Sequence, residues 1–251
     1  METLFIGQKT IFLPETDSTN SYAIQLLKGV NVEEGTIVYA SNQIEGRGQR
    51  GNSWESEPGL NLALSIILKP NFLDKSKLYF LYILSSLAVH DLLSEILDKS
   101  QFDIKIKWPN DLMVNNRKIC GILIENQLQN ESIKYAVCGI GINVNQEKFK
   151  DKIRAISLRN LTGNEYNLNT LLKKLSAHFE KYYLKLRSGR LEELKAIYLN
   201  NLYKYNKEQE FIINSKHTTF FVAGINDSGL LHLKDKDNKD FYFDVKEIKW
   251  V

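Results

Sequence analysis

Cysteine, proline and histidine are scarce in this chain, and each scarcity excludes something. Among 251 residues there are 2 Cys, 4 Pro and 4 His. Two cysteines, Cys120 and Cys138, cannot build a disulfide framework, and their apolar neighbours predict buried free thiols in a reducing cytoplasm. Four prolines supply no Pro-rich linker, and no internal repeat or low-complexity tract interrupts the chain. His90, His178, His217 and His232 share no metal-ligand spacing and read as structural side chains. Charge of one sign is lacking too: 33 Lys and Arg against 30 Asp and Glu leave a net +3, without the broad basic field of a nucleic-acid binder. No membrane partner is expected either. The longest apolar run, residues 78–89, is broken by Ser85 and Ser86 and stops at His90, short of the roughly 20 residues a span requires. Met1-Glu2-Thr3 offers neither a basic n-region nor an apolar h-region, so a secretion signal is not expected.

What is present is a mixture of helical and strand periods, 43 % hydrophobic and 25 % charged, long enough for one large domain or for one with a small companion. Residues 10–13 read as a strand ending at Pro14. Asp17-Ser18-Thr19-Asn20 then supplies N-caps for a helix with Ala23, Leu26, Leu27 and Val30 on one face. Residues 36–41 form a second strand, and Leu60, Leu62, Leu64, Ile66 and Leu68 mark a third by their period of two, with one deeply buried face. Residues 77–97 predict a buried helix. Strands follow at 103–107, 111–115, 118–127 and 133–143, the last with an edge through which a monomer could associate as a weak homodimer. From about residue 167 the series Leu168, Leu171, Leu172, Leu175, Phe179, Tyr182, Tyr183 and Leu186 makes an amphipathic stripe, and another helix covers 191–202.

Beyond Tyr205 the character changes to short β-rich runs at 211–213, 219–222, 229–233 and 241–245, separated by turn signals such as Asn226-Asp227-Ser228-Gly229. With seven Lys against eight Asp or Glu from Tyr205 onward, this is a near-neutral small barrel or sheet. The predicted division is 1–204 and 205–251.

The most informative stretch is Gly46-Arg47-Gly48-Gln49-Arg50-Gly51-Asn52-Ser53-Trp54. It satisfies G-x-G-x-x-G, but a dinucleotide-binding loop must leave a strand and open a helix. Here it leads to Trp54, Pro58-Gly59 and another strand. A Walker A loop fails as well, because Asn52-Ser53 stands where Lys-Ser/Thr is required. What remains is a loop with backbone N–H groups freed by glycines and two guanidinium groups beside them, suited to wrapping an anion. The plainer alternative is a surface turn with incidental arginines.

Three further segments favour the anion site. Lys107-Trp108-Pro109-Asn110-Asp111 gathers a cation, a rigid bend and two polar side chains at a strand end. Arg117-Lys118-Ile119-Cys120-Gly121-Ile122-Leu123-Ile124-Glu125 opens with charge and enters the core. Gly139-Ile140-Gly141-Ile142-Asn143-Val144-Asn145 ends an apolar strand on an asparagine. Together with Asp17-Ser18-Thr19-Asn20 and the glycine loop, taken in this order, they resemble the biotin–protein ligases, and the resemblance covers essentially the whole chain.

That resemblance implies an α+β fold: a mixed, mostly antiparallel sheet with flanking helices, of the class II synthetase and biotin ligase type, plus a small C-terminal SH3-like β-barrel. It implies activation of biotin by ATP, with Mg, to biotinyl-5′-AMP, then transfer to a lysine of a biotin carboxyl carrier protein. The strand before Asp17 begins within about ten residues of Met1, so a ligase without a DNA-binding half is expected. Carried over by motif, Arg47, Gly48 and Gln49 bind the biotin carboxylate and then the acyl-phosphate, and Lys118 bridges carboxylate and α-phosphate oxygens. Ser18, Thr19, Asn20 and Gln43 hydrogen-bond the ureido ring, with helix capping as the competing role for Ser18 and Thr19. Gly121 and Ile122 line the apolar wall. Arg50, Trp54, Lys107, Asn110 and Asn143 face the nucleotide, with a buried core side chain as the competing reading of Trp54. Asp111 either takes the acceptor lysine's proton or holds Mg. Catalysis would rest on Arg47, Lys118 and Asp111.

Two departures from the family pattern matter. Gln49 stands where many members have arginine, and Asn52 and Ser53 stand where basic residues occur, which implies weaker electrostatic retention of the adenylate. The segment 146–154 is where the family closes over adenine, with Phe149 as the candidate contact. A lipoate- or octanoate–protein ligase and a non-catalytic biotin-binding regulator stay open as alternatives.

Overall fold

The period-two runs of the first two-thirds pair into one seven-stranded sheet in the computed structural model, which describes residues 2–129, 132–149 and 154–251, the side chain of Arg50 excepted. Its strands are β1 (Thr10–Thr16), β2 (Ile37–Gln43), β3 (Leu62–Leu68), β4 (Ile104–Lys107), β5 (Asp111–Val114), β6 (Arg117–Gln129) and β7 (Ser132–Ile142). They lie in the order β1-β2-β3-β7-β6-β5-β4. β1 and β2 are parallel, and the other neighbours are antiparallel. The expected α+β class with a mixed, mostly antiparallel sheet is therefore found.

Two local expectations are corrected. β1 does not stop at Pro14 but runs through it to Thr16, because an edge strand tolerates a residue that cannot donate. Residues 133–143 offer no edge, since β7 lies inside the sheet between β3 and β6.

Two helices, α1 (Thr19–Gly29) and α2 (Tyr79–Ile96), cover opposite faces of the sheet. Leu62, Leu64, Ile66 and Leu68 of β3 join α2 in the main core, whereas Ile67 packs with Ala23, Val32 and Val38 beneath α1. β3 is thus buried on both faces rather than one. The segment Lys75–Ile96 has the length and composition of a membrane span, but 67 % of its 18-residue apolar stretch is buried inside the fold.

A one-turn helix, α3 (Leu158–Thr162), is held by a capping box in which Ser157 Oγ accepts from Asn160 N–H. Five residues are too few to show a 3.6-residue period, so the sequence pattern misses it. The stripe from Leu168 becomes α4 (Leu168–Arg187), capped by Asn167, and α5 (Leu191–Asn200) follows. Buried Glu180 of α4 accepts the backbone N–H groups of Leu4, Phe5 and Ile6 at 2.6, 2.8 and 2.9 Å, anchoring the N-terminal segment.

The C-terminal strands β8 (Glu208–Ile213), β9 (Lys216–Ile225), β10 (Leu231–Lys234), β11 (Asp240–Phe243) and β12 (Ile248–Trp250) form a second, antiparallel sheet in the order β11-β10-β9-β8-β12. β12 has three residues and no legible pattern. Phe211, Val222, Leu231, Leu233 and Ile248 belong to the same continuous core as the large sheet. Trp108 stitches the two: its Nε1 donates to the Gly229 carbonyl at 2.8 Å, and its own carbonyl accepts from Trp250 Nε1 at 3.1 Å.

Candidate active site

Alternation along β6 and β7 decides where the cavity lies. Cys120, Ile122, Ile124, Cys138, Ile140 and Ile142 point to the α2 core, and Val137 points to the α1 side. Gly139 and Gly141, being odd-numbered like Val137, face the α1 side, and the register pairs Gly141 with Gly121 and Gly139 with Leu123. Here, beyond the end of α1, glycines leave an open floor. A cavity of about 410 Å³ stands over it.

The start of α1, the 46–54 loop, the 107–111 bend, β6, β7 and the second sheet all border this cavity. It gathers Ser18, Thr19, Asn20, Gln43, Arg47, Gly48, Gln49, Trp54, Lys107, Asn110, Asp111, Lys118, Gly121 and Ile122. Ile122 contributes its backbone, because its side chain belongs to the core behind the sheet. Asn143 does not line the cavity: it is 3 % exposed and donates from Nδ2 to the Ile156 carbonyl at 3.1 Å. Its place is one step back, fastening the segment whose Arg154 carbonyl accepts the Lys118 N–H. The side chain of Arg50 and residues 150–153 of the 146–154 segment lie outside the described residues. Phe149 is not among the residues that border the cavity.

The glycine loop is a hairpin that closes on itself through some of its amides. Gly48 N–H donates to the Asn52 carbonyl at 2.7 Å, and Trp54 N–H to the Gly46 carbonyl at 2.8 Å. Gly46 permits this approach, since a Cβ there would stand 2.3 Å from the Trp54 carbonyl oxygen. The Trp54 indole then lies across the glycine floor: a Cβ at Gly141 would meet its ring at 2.4 Å.

Polar groups divide the cavity into two ends. At one, Gln43 Oε1 accepts from Thr19 N–H at 2.9 Å and from Thr19 Oγ1 at 3.1 Å. Ser18 occupies the N-cap position of α1, yet its hydroxyl makes no capping hydrogen bond. Asn20 fits only because position 139 is glycine, where a Cβ would lie 2.4 Å from Asn20 Oδ1. At the other end, Lys118 Nζ is 2.7 Å from Asp111 Oδ1, an ion pair out of line for a hydrogen bond, and 5.8 Å from the centre of the Trp54 ring. Lys107 stands 5.4 Å from the Trp250 ring and 6.0 Å from that of Tyr203. Burial lowers the Lys107 pKa, and the Asp111 carboxylate opposes that shift. Asn110 Nδ2 donates to the Ile122 carbonyl at 2.8 Å and fixes the bend.

Cys120 and Cys138 are free and buried. Burial raises both thiol pKa values, that of Cys138 to about 12, so neither is a nucleophile. Sequence reasoning missed the contributions of Val245, Ile248, Lys249 and Trp250 to the wall, because they come from β12 and the turn before it. It also gave no role to Glu125, which pairs with Arg47; a single carboxylate within a strand carries no local signal.

Residues 12–143 match the profile of the Biotin/lipoate A/B protein ligase family. The chain belongs to this family. It is 30 % identical over 243 residues to the bifunctional ligase/repressor BirA of Bacillus subtilis, covering 94 % of this chain and 73 % of that one. It is 27 % identical to the biotin–[acetyl-CoA-carboxylase] ligase of Paracoccus denitrificans, over 88 % of this chain and 92 % of the relative. Among solved structures, a biotin protein ligase from Aquifex aeolicus in complex with biotin and ATP superposes with a TM-score of 0.79 at 27 % identity, covering 96 % of this chain and 98 % of the other.

Proposed function

We propose that this protein is an ATP-dependent biotin–protein ligase, which makes biotinyl-5′-AMP and passes biotin to a lysine of a biotin carboxyl carrier protein. One observation carries it: a single cavity holds a neutral polar end, a glycine floor and a cationic end in a line, beneath a hairpin. The relatives named as biotin ligases support the same reading. Short hydroxyls and amides at Ser18, Thr19, Asn20 and Gln43 match a neutral ureido ring. The glycine floor admits an apolar tail, and Lys107 and Lys118 stand where charge concentrates.

In the first step a biotin carboxylate oxygen bonds to the α-phosphorus of ATP and the bond to pyrophosphate breaks. Lys118 sits between both anionic partners and lowers their repulsion, exchanging Asp111 for ligand oxygens. Arg47 and Gln49 hold the carboxylate end beside Gly48, whose N–H is already bonded within the hairpin, while Trp54, Lys107 and Asn110 form the nucleotide side, a role the family resemblance also gives to Arg50. In the second step the acceptor amine attacks the acyl carbon and AMP leaves with the bonding pair. The amine must first lose a proton, which near neutral pH costs about 4–5 kcal/mol from a reference pKa near 10.4.

Two roles fit Asp111. Its buried Oδ1 is ion-paired to Lys118 Nζ without hydrogen-bond alignment, so that once Lys118 turns to ligand oxygens it suits either the acceptor's proton or a magnesium ion. Asp111 would offer such an ion a single carboxylate, which fits an Mg²⁺ held mainly by phosphates and water. Bound there, the ion would neutralise triphosphate charge. Asp111→Asn, followed through both half-reactions, separates the roles: loss of adenylate formation alone overturns the proton-acceptor role.

We divide the chain into a catalytic unit, 1–204, and a small β unit, 205–251, corresponding to the two sheets. Two buried free thiols support a reducing cytoplasmic setting. Pyrophosphate release on mixing the protein with biotin and ATP tests the activity. Release with lipoate but not with biotin would overturn it, as would no release with either.

A further inference from the structure

Glu125 stands on β6 with the parity of Gly121 and Leu123, so its side chain shares the cavity face. A carboxylate beside an anion site would repel the ligand unless its charge were tied up. Here it is: Oε1 is paired with Arg47 Nη2, and Oε2 accepts from Asn20 Nδ2 at 2.9 Å. Arg47 Nη1 also donates to Ser21 Oγ at 3.0 Å. Asn20 Oδ1 is 2.6 Å from Ser65 Oγ, which is itself 2.8 Å from Thr19 Oγ1. One carboxylate therefore joins the glycine hairpin to the neutral polar end of the cavity. A second tether ends beside it. Gln49 Nε2 donates to the Tyr82 hydroxyl at 3.2 Å, and the Ile124 N–H donates to that same hydroxyl at 3.2 Å.

We propose that Glu125 is a positioning residue that clamps the 46–54 hairpin onto β6 and sets Asn20 before any ligand arrives. The inference rests on the biotin-ligase reading for its kinetic consequence alone. A loop that is closed only part of the time weakens apparent affinity by the fraction closed, whereas the bond-making geometry, once closed, is unchanged. Removal of the clamp therefore raises KM for biotin and spares kcat.

The test compares Glu125→Gln and Glu125→Ala with Gln127→Ala, an exposed neighbour two residues along β6. Trypsin cleavage after Arg47 and Arg50 in the ligand-free protein reads hairpin closure without reference to activity. Both Glu125 variants should be cut there about tenfold faster at an unchanged melting temperature, and Glu125→Gln should raise KM for biotin about tenfold with kcat nearly constant. Gln127→Ala should match the parent. If Glu125→Ala fails to fold, the volume-preserving Glu125→Gln carries the test. Unchanged cleavage would overturn the clamp, and so would a fall in kcat at constant KM, which would mark a chemical role. Should the parent release no pyrophosphate with biotin, the ligase reading falls while the cleavage experiment still decides the clamp.

Discussion

The two faces of β6 and β7 are made by one alternation and end as opposites. Behind the sheet, Cys120, Ile122, Ile124, Cys138, Ile140 and Ile142 seal against α2 with almost no exposure. In front, Gly121, Gly139 and Gly141 leave the space in which Trp54 and Asn20 lie. A binding cavity needs no separate element here. It arises where every second residue of a buried strand lacks a side chain, so the repeat that builds the core also builds the site.

The sharpest way to break this comparison is a pair of alanines on adjacent residues. Ile140→Ala should lower unfolding free energy by about 2–5 kcal/mol through cavity formation, with KM for biotin unchanged. Gly141→Ala should do the reverse: its Cβ would meet the Trp54 ring, raising KM about tenfold or more, ~1.4 kcal/mol, with little change in stability. Denaturant titration and steady-state kinetics on both variants decide it, and matching behaviour would erase the distinction between faces. Next in size is Lys118→Met, which touches the front face alone. It should slow adenylate formation about 10²- to 10³-fold, as loss of one preorganised charge donor does, with the melting temperature preserved.

Further from the cavity, effects should fall on stability. Glu180→Ala strands three backbone donors and should cost about 1–3 kcal/mol in urea unfolding, with kinetics unaltered. The smallest effect is at Asp227, where hydrogen bonds from Lys195 and then Lys77 hold the carboxyl at about 2, below its usual 3.8. A depressed folded pKa gives stabilisation that is present above pH 3.8 and is lost as pH falls through about 2. Both partners are solvent-accessible, so the gain is a few tenths of a kcal/mol. Asp227→Asn should flatten this window in melting curves, and an unchanged curve would show that the clasp contributes nothing.

Most elements were legible because their periods are strong. The α4 stripe, the period-two strand β3 and the turn signals of the second sheet all lie where pattern places them. The failures are short or contextual: α3 and β12 are briefer than a period, and the passage of β1 through Pro14 depends on its being an edge. The candidate site divides the same way. Its motif residues converge on one cavity, except that Asn143 serves behind it and Ile122 turns its side chain to the core. The strand register decides both. That the loop closes as a hairpin was not legible, because glycine content reports freedom, not the hydrogen bonds that use it.

By itself the sequence determined which residue types were to meet: hydroxyls and amides around the start of α1, alternating glycines, cations at strand ends and one aspartate. Local spacing and side-chain chemistry suffice for that. Tertiary structure alone decided that Lys118 rests on Asp111, that Glu125 ties Arg47 to Asn20, and that Trp250 from the last strand closes the wall beside Lys107. These pairs are distant in sequence or set by strand register, and a pairwise contact has no period for a linear pattern to show.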